Sequence, residues 1–265
     1  MSLWDSLLKR FKKNRESEIS VPAEQTSEEE VPALTMRDLP EKSLDSLPEA
    51  RWPPFPRAVE AVTSRAIIDS QAELIRSLCR VTPLSEKEID AVLLPCIVSL
   101  AEFVHLLPAS QYDHHMGTGG LFGHSLEVAY YAVNGAKSRI FDVTESPEKA
   151  HLNRSRWILA AALCGLVHDI GKAVTDIIVT SESDQEVWYP RQETLAHWLR
   201  RKKLASYYVS WKQNRENNRH QTASVEYAHA IIPQATYSFL SAAGNIRIGI
   251  CQVVFPKMFN CSEPL

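Results

Sequence analysis

From Arg57 onward the apolar residues of this chain recur three and four positions apart: Val59, Val62, Ala66 and Ile67, then Leu74, Ile75 and Leu78. That is the spacing at which side chains share one face of an α-helix. Ser85, ahead of "EKEIDAVLLPCIVSLAEFVHLLP", has Glu88 three residues on, a capping-box arrangement that predicts a helix start. Pro95 lacks the N–H that a helix interior uses, so it should kink or divide that segment. "LFGHSLEVAYYAVNGAK" and "NRSRWILAAALCGLVHDIGK" read as two further helices, and "TLAHWLRRKKLASYYVSWKQNRENNRH" as another long one, whole or broken. Only "IIVTSESDQEVWYP" has the character of a small β-hairpin. The expected fold class is mostly α.

The ends differ from this body. Residues 1–16 set Trp4, Leu7, Leu8 and Phe11 on one side, with Lys9, Arg10, Lys12, Lys13 and Arg15 opposite or at the end. A basic amphipathic helix of this kind suits an anionic membrane surface, a partner, or its own domain. Residues 17–50, rich in Glu, Ser and Pro, read as an acidic disordered linker. "RWPPFP" then marks the domain entrance, because consecutive prolines favour extended chain. The domain is expected over 51–243, followed by an atypical tail, 244–265, that loses the helical period and reads as a truncation scar.

Composition narrows the class. The chain has 265 residues, 45% of them hydrophobic and 23% charged, as in ordinary globular proteins. Its nine glycines are too few for a turn-rich all-β fold. No apolar run reads as long enough to span a bilayer. Five scattered cysteines (Cys79, Cys96, Cys164, Cys251 and Cys261) without a C-x-x-C pair fit a reducing cytoplasm. The net charge of −3 conceals an asymmetry: Glu18 to Glu49 holds nine acidic and two basic residues, whereas Leu195 to His220 holds seven basic and one acidic.

The stretch "AALCGLVHDIGKAVTD" admits two chemistries. A phosphate-binding loop needs four residues between its glycines and Ser or Thr after the lysine. Here five residues separate Gly165 from Gly171, Ala173 follows Lys172, and the preceding segment is helical rather than extended. The spacing, the last residue and the context all fail. The alternative is a metal site: His168 and Asp169 end a rigid apolar helix, and imidazole and carboxylate are natural ligands of a divalent transition metal. His124, opening the amphipathic "HSLEVA" after a glycine-rich approach, supplies a second histidine.

With those residues in view, "HSLEVA" followed by "HDIGK" resembles the HD metal-dependent phosphohydrolase superfamily. The blocks "RWPPF", "LLPASQYDHHMGTGGLFGHSLEVA", "LCGLVHDIGKAVTD", "WYP", "YYVSW" and "RH" resemble, in order, the TraI-like N-terminal domain of MobH-type relaxases of conjugative plasmids and integrating conjugative elements. The resemblance covers about residues 51 to 243. It implies an HD-like helical domain that nicks and covalently transfers one DNA strand at a transfer origin. It implies a divalent ion (Mn, Fe, Ni, Zn or Mg) on His124, His168 and Asp169, and partners in single-stranded or nicked DNA and the conjugation machinery. The cysteine usage and the basic amphipathic helix give the expected location, cytoplasmic, with peripheral contact at the inner face of the membrane through residues 1–15.

The last ligand stays open. Asp184 is the final aspartate and sits in a loop-like stretch, so the substitutes are His220, Glu226 or His229. His220 resembles the extra histidine of two-metal HD proteins. Asp176 approaches the site if the helix continues past Gly171, and His114 and His115 line it if their glycine-rich loop lets them converge. The candidate nucleophiles are Tyr207 and Tyr208, with Tyr112 as an outsider; Leu204, Tyr207, Tyr208 and Trp211 also form a helical seam that a core would use. Lys172 is placed to stabilise phosphate or to exit to solvent. Arg200, Arg201, Lys202, Lys203 and Arg219, with Lys212 and Arg215 and the interleaved Trp198, Tyr207, Tyr208 and Trp211, are the candidate DNA track; the plainer reading is a solvated helix face. Beside the relaxase stand a metal-dependent phosphohydrolase acting on a phosphate ester and a non-catalytic DNA-binding remnant.

Overall fold

The computed structural model describes residues 33–43, 58–112, 114–141, 146–181, 186–213, 215 and 219–242. The basic helix expected over 1–16, the entrance "RWPPFP" and the tail 244–265 lie outside the described residues.

The helical expectation holds. After β1 (Val59–Glu60), Thr63 caps α1 (Ser64–Ser70) by accepting the Ala66 N–H at 3.2 Å, and α2 (Ala72–Val81) follows directly. The capping box of Ser85 and Glu88 opens α3 (Glu86–Glu88). A π-helical segment, Ile89–Leu93, then leads into α4 (Leu94–Val104), with Pro95 in its first turn. The missing N–H of Pro95 removes one ladder bond, and the division expected there takes the form of this wider turn.

The core is organised around an antiparallel pair, α5 (Gly120–Lys137) and α6 (Pro147–Val167). Arg154 near the start of α6 donates to the Lys137 carbonyl at the end of α5 at 2.6 Å, while Gly165 near the end of α6 meets Ala129. A Cβ at Gly165 would sit 2.5 Å from the Ala129 Cα, so only glycine lets the two helices approach this closely. Every residue from Ile158 to Val167 is buried. The span Pro147–Thr175 is, by length and composition, apolar enough to cross a membrane, which corrects the expectation of no such run. Its burial inside the protein accounts for the apolarity.

Two stretches follow paths that the sequence did not specify. Within the span read as a linker, residues 33–43 form a docked strap. Leu34 and Leu39 are buried, and a 3-10 turn covers Met36–Asp38. The Met36 N–H donates to Asp90 at 2.9 Å, and Arg76 donates to the Pro40 carbonyl at 2.9 Å. Average composition hides two well-placed leucines and the partners that receive the strap's backbone.

The long helix proposed over 194–220 is also divided. Thr194 caps α8 (Leu195–Lys202), and Lys203 ends it in the left-handed region at φ 53°. The chain then runs as strand β3 (Ser206–Trp211), the centre of an antiparallel sheet in the order β1, β3, β2 (Ile177–Thr180). Val59 pairs with Tyr207, and Thr180 with Tyr208. Tyr207 and Val209 face the core and Ser210 faces out, so the aromatic seam has period two rather than 3.6. The expected hairpin appears where Val187 bridges back to Thr180. Two further helices, α9 (Arg219–Ile231) and α10 (Gln234–Ser241), close the described domain.

Candidate metal centre

Three local features assemble one cluster. Gly119, left-handed at φ 71°, caps α5 and sets His124 on its second turn, with Glu127 three residues on along the same face. At the other side α6 ends at Val167, and His168 to Gly171 turn the chain into the short α7 (Lys172–Thr175). Helix α9 lies on that turn: the Ser224 hydroxyl donates to the His168 carbonyl at 2.7 Å and accepts the Gly171 N–H at 2.9 Å. A Cβ at Gly171 would fall 2.0 Å from the His220 carbonyl oxygen. The missing side chain is what lets the start of α9 approach Asp169.

The donor atoms converge. His124 Nε2 and His168 Nε2 are 3.1 Å apart, and Asp169 Oδ2 is 3.3 Å from each. Around an ion with bonds of about 2.1 Å, neighbouring ligand atoms are roughly 3.0–3.4 Å apart, so the triangle fits a single divalent cation. The other ring nitrogen of His168, Nδ1, is 2.7 Å from the Gly165 carbonyl. Donation to that carbonyl fixes the ring and leaves Nε2 for the cluster. His220 Nε2 lies 3.6 Å from the second oxygen, Asp169 Oδ1.

Lys172 turns inward. Its Nζ donates to Asp169 Oδ2 at 2.6 Å and to the Ala109 carbonyl at 3.1 Å. Burial pushes the Asp169 carboxyl up, but hydrogen bonds from His124 and His168 and the charges of His168 and Lys172 outweigh it. The group stays well below the usual carboxylate range. A carboxylate beside two imidazole nitrogens is a donor set that suits a divalent transition metal.

A second group shares His124. His115, left-handed at φ 61°, reaches Glu127 with its Nε2 3.0 Å from Oε2, and one donor atom from each of His115, His124 and Glu127 falls within 4.8 Å of the others. A Cβ at Gly120 would meet the His115 carbonyl at 1.9 Å, so the glycine-rich approach serves to fold this loop onto α5.

Several expected residues lie elsewhere. His114 is exposed. Asp176 ends α7 without joining the cluster; its side chain accepts from the Thr175 hydroxyl at 2.7 Å. Glu226 pairs with Arg191 at 2.8 Å, and His229 Nδ1 is 2.7 Å from the Glu226 carbonyl, so His220 alone of the three substitutes reaches Asp169. Tyr207 is fully buried and its hydroxyl meets His105 Nδ1 at 2.8 Å. Burial also pushes its phenol far above the usual range, which removes Tyr207 as an attacking group. Tyr208 is half-buried on β3, not on a basic helix.

The basic track is partly neutralised by folding. Arg200 reaches Glu102 at 3.5 Å, Arg201 pairs with Glu193, and Lys202 meets Glu186 at 2.8 Å. Trp198 and Tyr207, read as stacking partners, are in the core. Lys203 is the left-handed cap of α8, and Arg219 is exposed beside His220 at the start of α9.

Sequence reasoning passed over Glu127 and Ser224. The first had a signal, its i+3 spacing from His124 on a helix already expected. Ser224 had none, since its role depends on where α9 docks.

A search of curated proteins returned no match. A family model, TraI_2, whose description reads "Putative helicase", matches residues 58–255. That range takes in α1 to α10, the sheet and every residue of the cluster. With well over half of its length matched, and with the motif blocks of a TraI-like domain in order, the chain belongs to the TraI_2 family.

Proposed function

We propose that this chain is the DNA relaxase domain of a conjugative element, with an HD-type metal centre that cuts and transfers one strand at an origin of transfer. The observation that carries the reading is the convergence of His124, His168 and Asp169 within a TraI_2 domain. These three residues would hold the ion, with His220 beside them and His115 and Glu127 as a second group. A divalent ion there supplies Lewis acidity toward a phosphodiester oxygen. Lys172 brings a fixed positive charge to the same carboxylate, where it meets the charge of a phosphate. The Ser224 hydroxyl and the Gly165 carbonyl keep the His168–Gly171 turn and the His168 ring in register. In a covalent route Tyr208 is the member of the expected tyrosine pair with any exposure. The partner is single-stranded or nicked DNA, the domain extends over 51–243, and the setting is cytoplasmic, with residues 1–15 docking at the membrane or on the conjugation machinery.

A second reading, phosphodiester or phosphomonoester hydrolysis by water, is favoured by the burial of Tyr207. One experiment separates them. Purified chain and the His168→Ala, Asp169→Ala double variant are analysed for metal, then incubated with Mn²⁺ and single-stranded DNA carrying a transfer origin. The relaxase reading expects bound metal in the wild type alone and an adduct with DNA that survives SDS. Metal-dependent cleavage without an adduct supports hydrolysis. Absence of metal and of cleavage in both proteins overturns the two readings and leaves a non-catalytic remnant.

A further inference from the structure

Tyr112 is the most exposed tyrosine among the described residues, at 72%. It stands on the loop that serves the centre from both sides. Three residues before it, the Ala109 carbonyl receives Lys172; three residues after it, His115 reaches Glu127. Its position is held by a polar chain. Gln111 Nε2 donates to the Tyr112 hydroxyl at 2.8 Å, and Gln111 Oε1 accepts from Arg215. The Arg215 guanidinium in turn lies 4.9 Å from the centre of the Trp211 ring, a cation–π distance. One hydrogen bond, from Arg215 to Gln111, and one cation–π contact therefore tie the loop to the end of β3, while the Tyr112 ring stays open to solvent.

We infer that Tyr112 is a stacking platform for one nucleobase of a single strand held at the centre, with Arg215, preset over Trp211, receiving the adjoining phosphate. A phenol ring offers a flat face to any base, and a guanidinium that already rests on an aromatic ring loses little freedom in meeting a phosphate. The residues first read as stacking partners, Trp198 and Tyr207, have no face to offer because both are in the core. The inference rests on the DNA reading above but on neither its metal nor its cutting step.

The test is the affinity of the full chain for a fluorescein-labelled single strand of mixed sequence, measured by anisotropy in EDTA. Tyr112→Ala is expected to weaken binding about ten-fold, the scale of a base–aromatic stack, while Tyr112→Phe stays within about two-fold of wild type. Arg215→Ala should weaken binding and lower the slope of affinity against salt by about one ion. Binding untouched by Tyr112→Ala overturns the platform and leaves the DNA reading standing. Equal losses in the Ala and Phe variants also overturn it, because the hydroxyl, directly or through Gln111, rather than the ring face then carries the effect. A wild-type chain that binds no single strand overturns the DNA reading and the platform together.

Discussion

The buried pair His105 and Tyr207 shows how much one side chain can be made to do. His105 is fully buried and has a positive φ of 45°. Its Nε2 lies 3.0 Å from the Val62 carbonyl and its Nδ1 2.8 Å from the Tyr207 hydroxyl. Nε2–H donation to Val62 makes Nδ1 the acceptor, so the tyrosine donates, and the same hydroxyl accepts from the Leu106 N–H. Tyr207→Phe strands the buried Nδ1 and should cost about 1–3 kcal/mol, read as a lower urea midpoint with metal content unchanged. Burial holds the imidazole at about 4, below its usual 6.5. Between those values the unfolded chain binds a proton that the fold excludes. Stability is therefore fully present above pH 6.5 and falls as pH drops toward 4, by up to roughly 3 kcal/mol. Urea unfolding at pH 7.5 and pH 4.5 checks this, with His105→Gln expected to flatten the difference. Neither role was legible in the sequence, where His105 is one histidine at a helix end and Tyr207 one aromatic among several.

At the scale of elements, the crossing of α5 and α6 decides the centre, since His124 rides on one helix and His168 ends the other. Gly165→Ala puts a methyl 2.5 Å from the Ala129 Cα and must force the helices apart. The expected outcome is a loss of about 1–3 kcal/mol together with weaker metal uptake. Gly135→Ala is the control on the same pair: nothing lies within 4 Å of its added methyl, and helix propensity should stabilise the protein by up to about 1 kcal/mol. Calorimetry and metal titration of the two variants check both directions. For α8, pairing with Glu102, Glu186 and Glu193 leaves little net charge to offer. Arg201→Ala should leave the salt slope of DNA binding unchanged, where a residue contacting phosphate would lower it by about one. Helix existence was legible here from period and caps, as at Ser85. The strand 206–211 was not, because "SYYVSW" is short enough for its aromatic residues to satisfy either period.

At the scale of the whole described domain, residues 33–43 pack onto the core although the span around them reads as a linker. Leu39 is 3% exposed, and Leu39→Ala should cost at least about 2 kcal/mol, measured as a shift in the urea midpoint; a loose segment would show almost none. The sequence by itself determined the mostly helical class, the capping box at Ser85, the division at Pro95 and three members of the cluster, His124, His168 and Asp169. Those features depend on neighbours a few residues apart or on a motif whose spacing is chemical. It left open the last ligand, the state of Lys172 and the fate of the basic track. Only the tertiary structure decided these. His220 meets Asp169 because Gly171 admits α9, Lys172 finds the same carboxylate across one turn, and Glu102, Glu193 and Glu186 fold onto Arg200, Arg201 and Lys202. Charge and ligation act through a few ångströms of space, and for these groups the chain brings that space together only when it is folded.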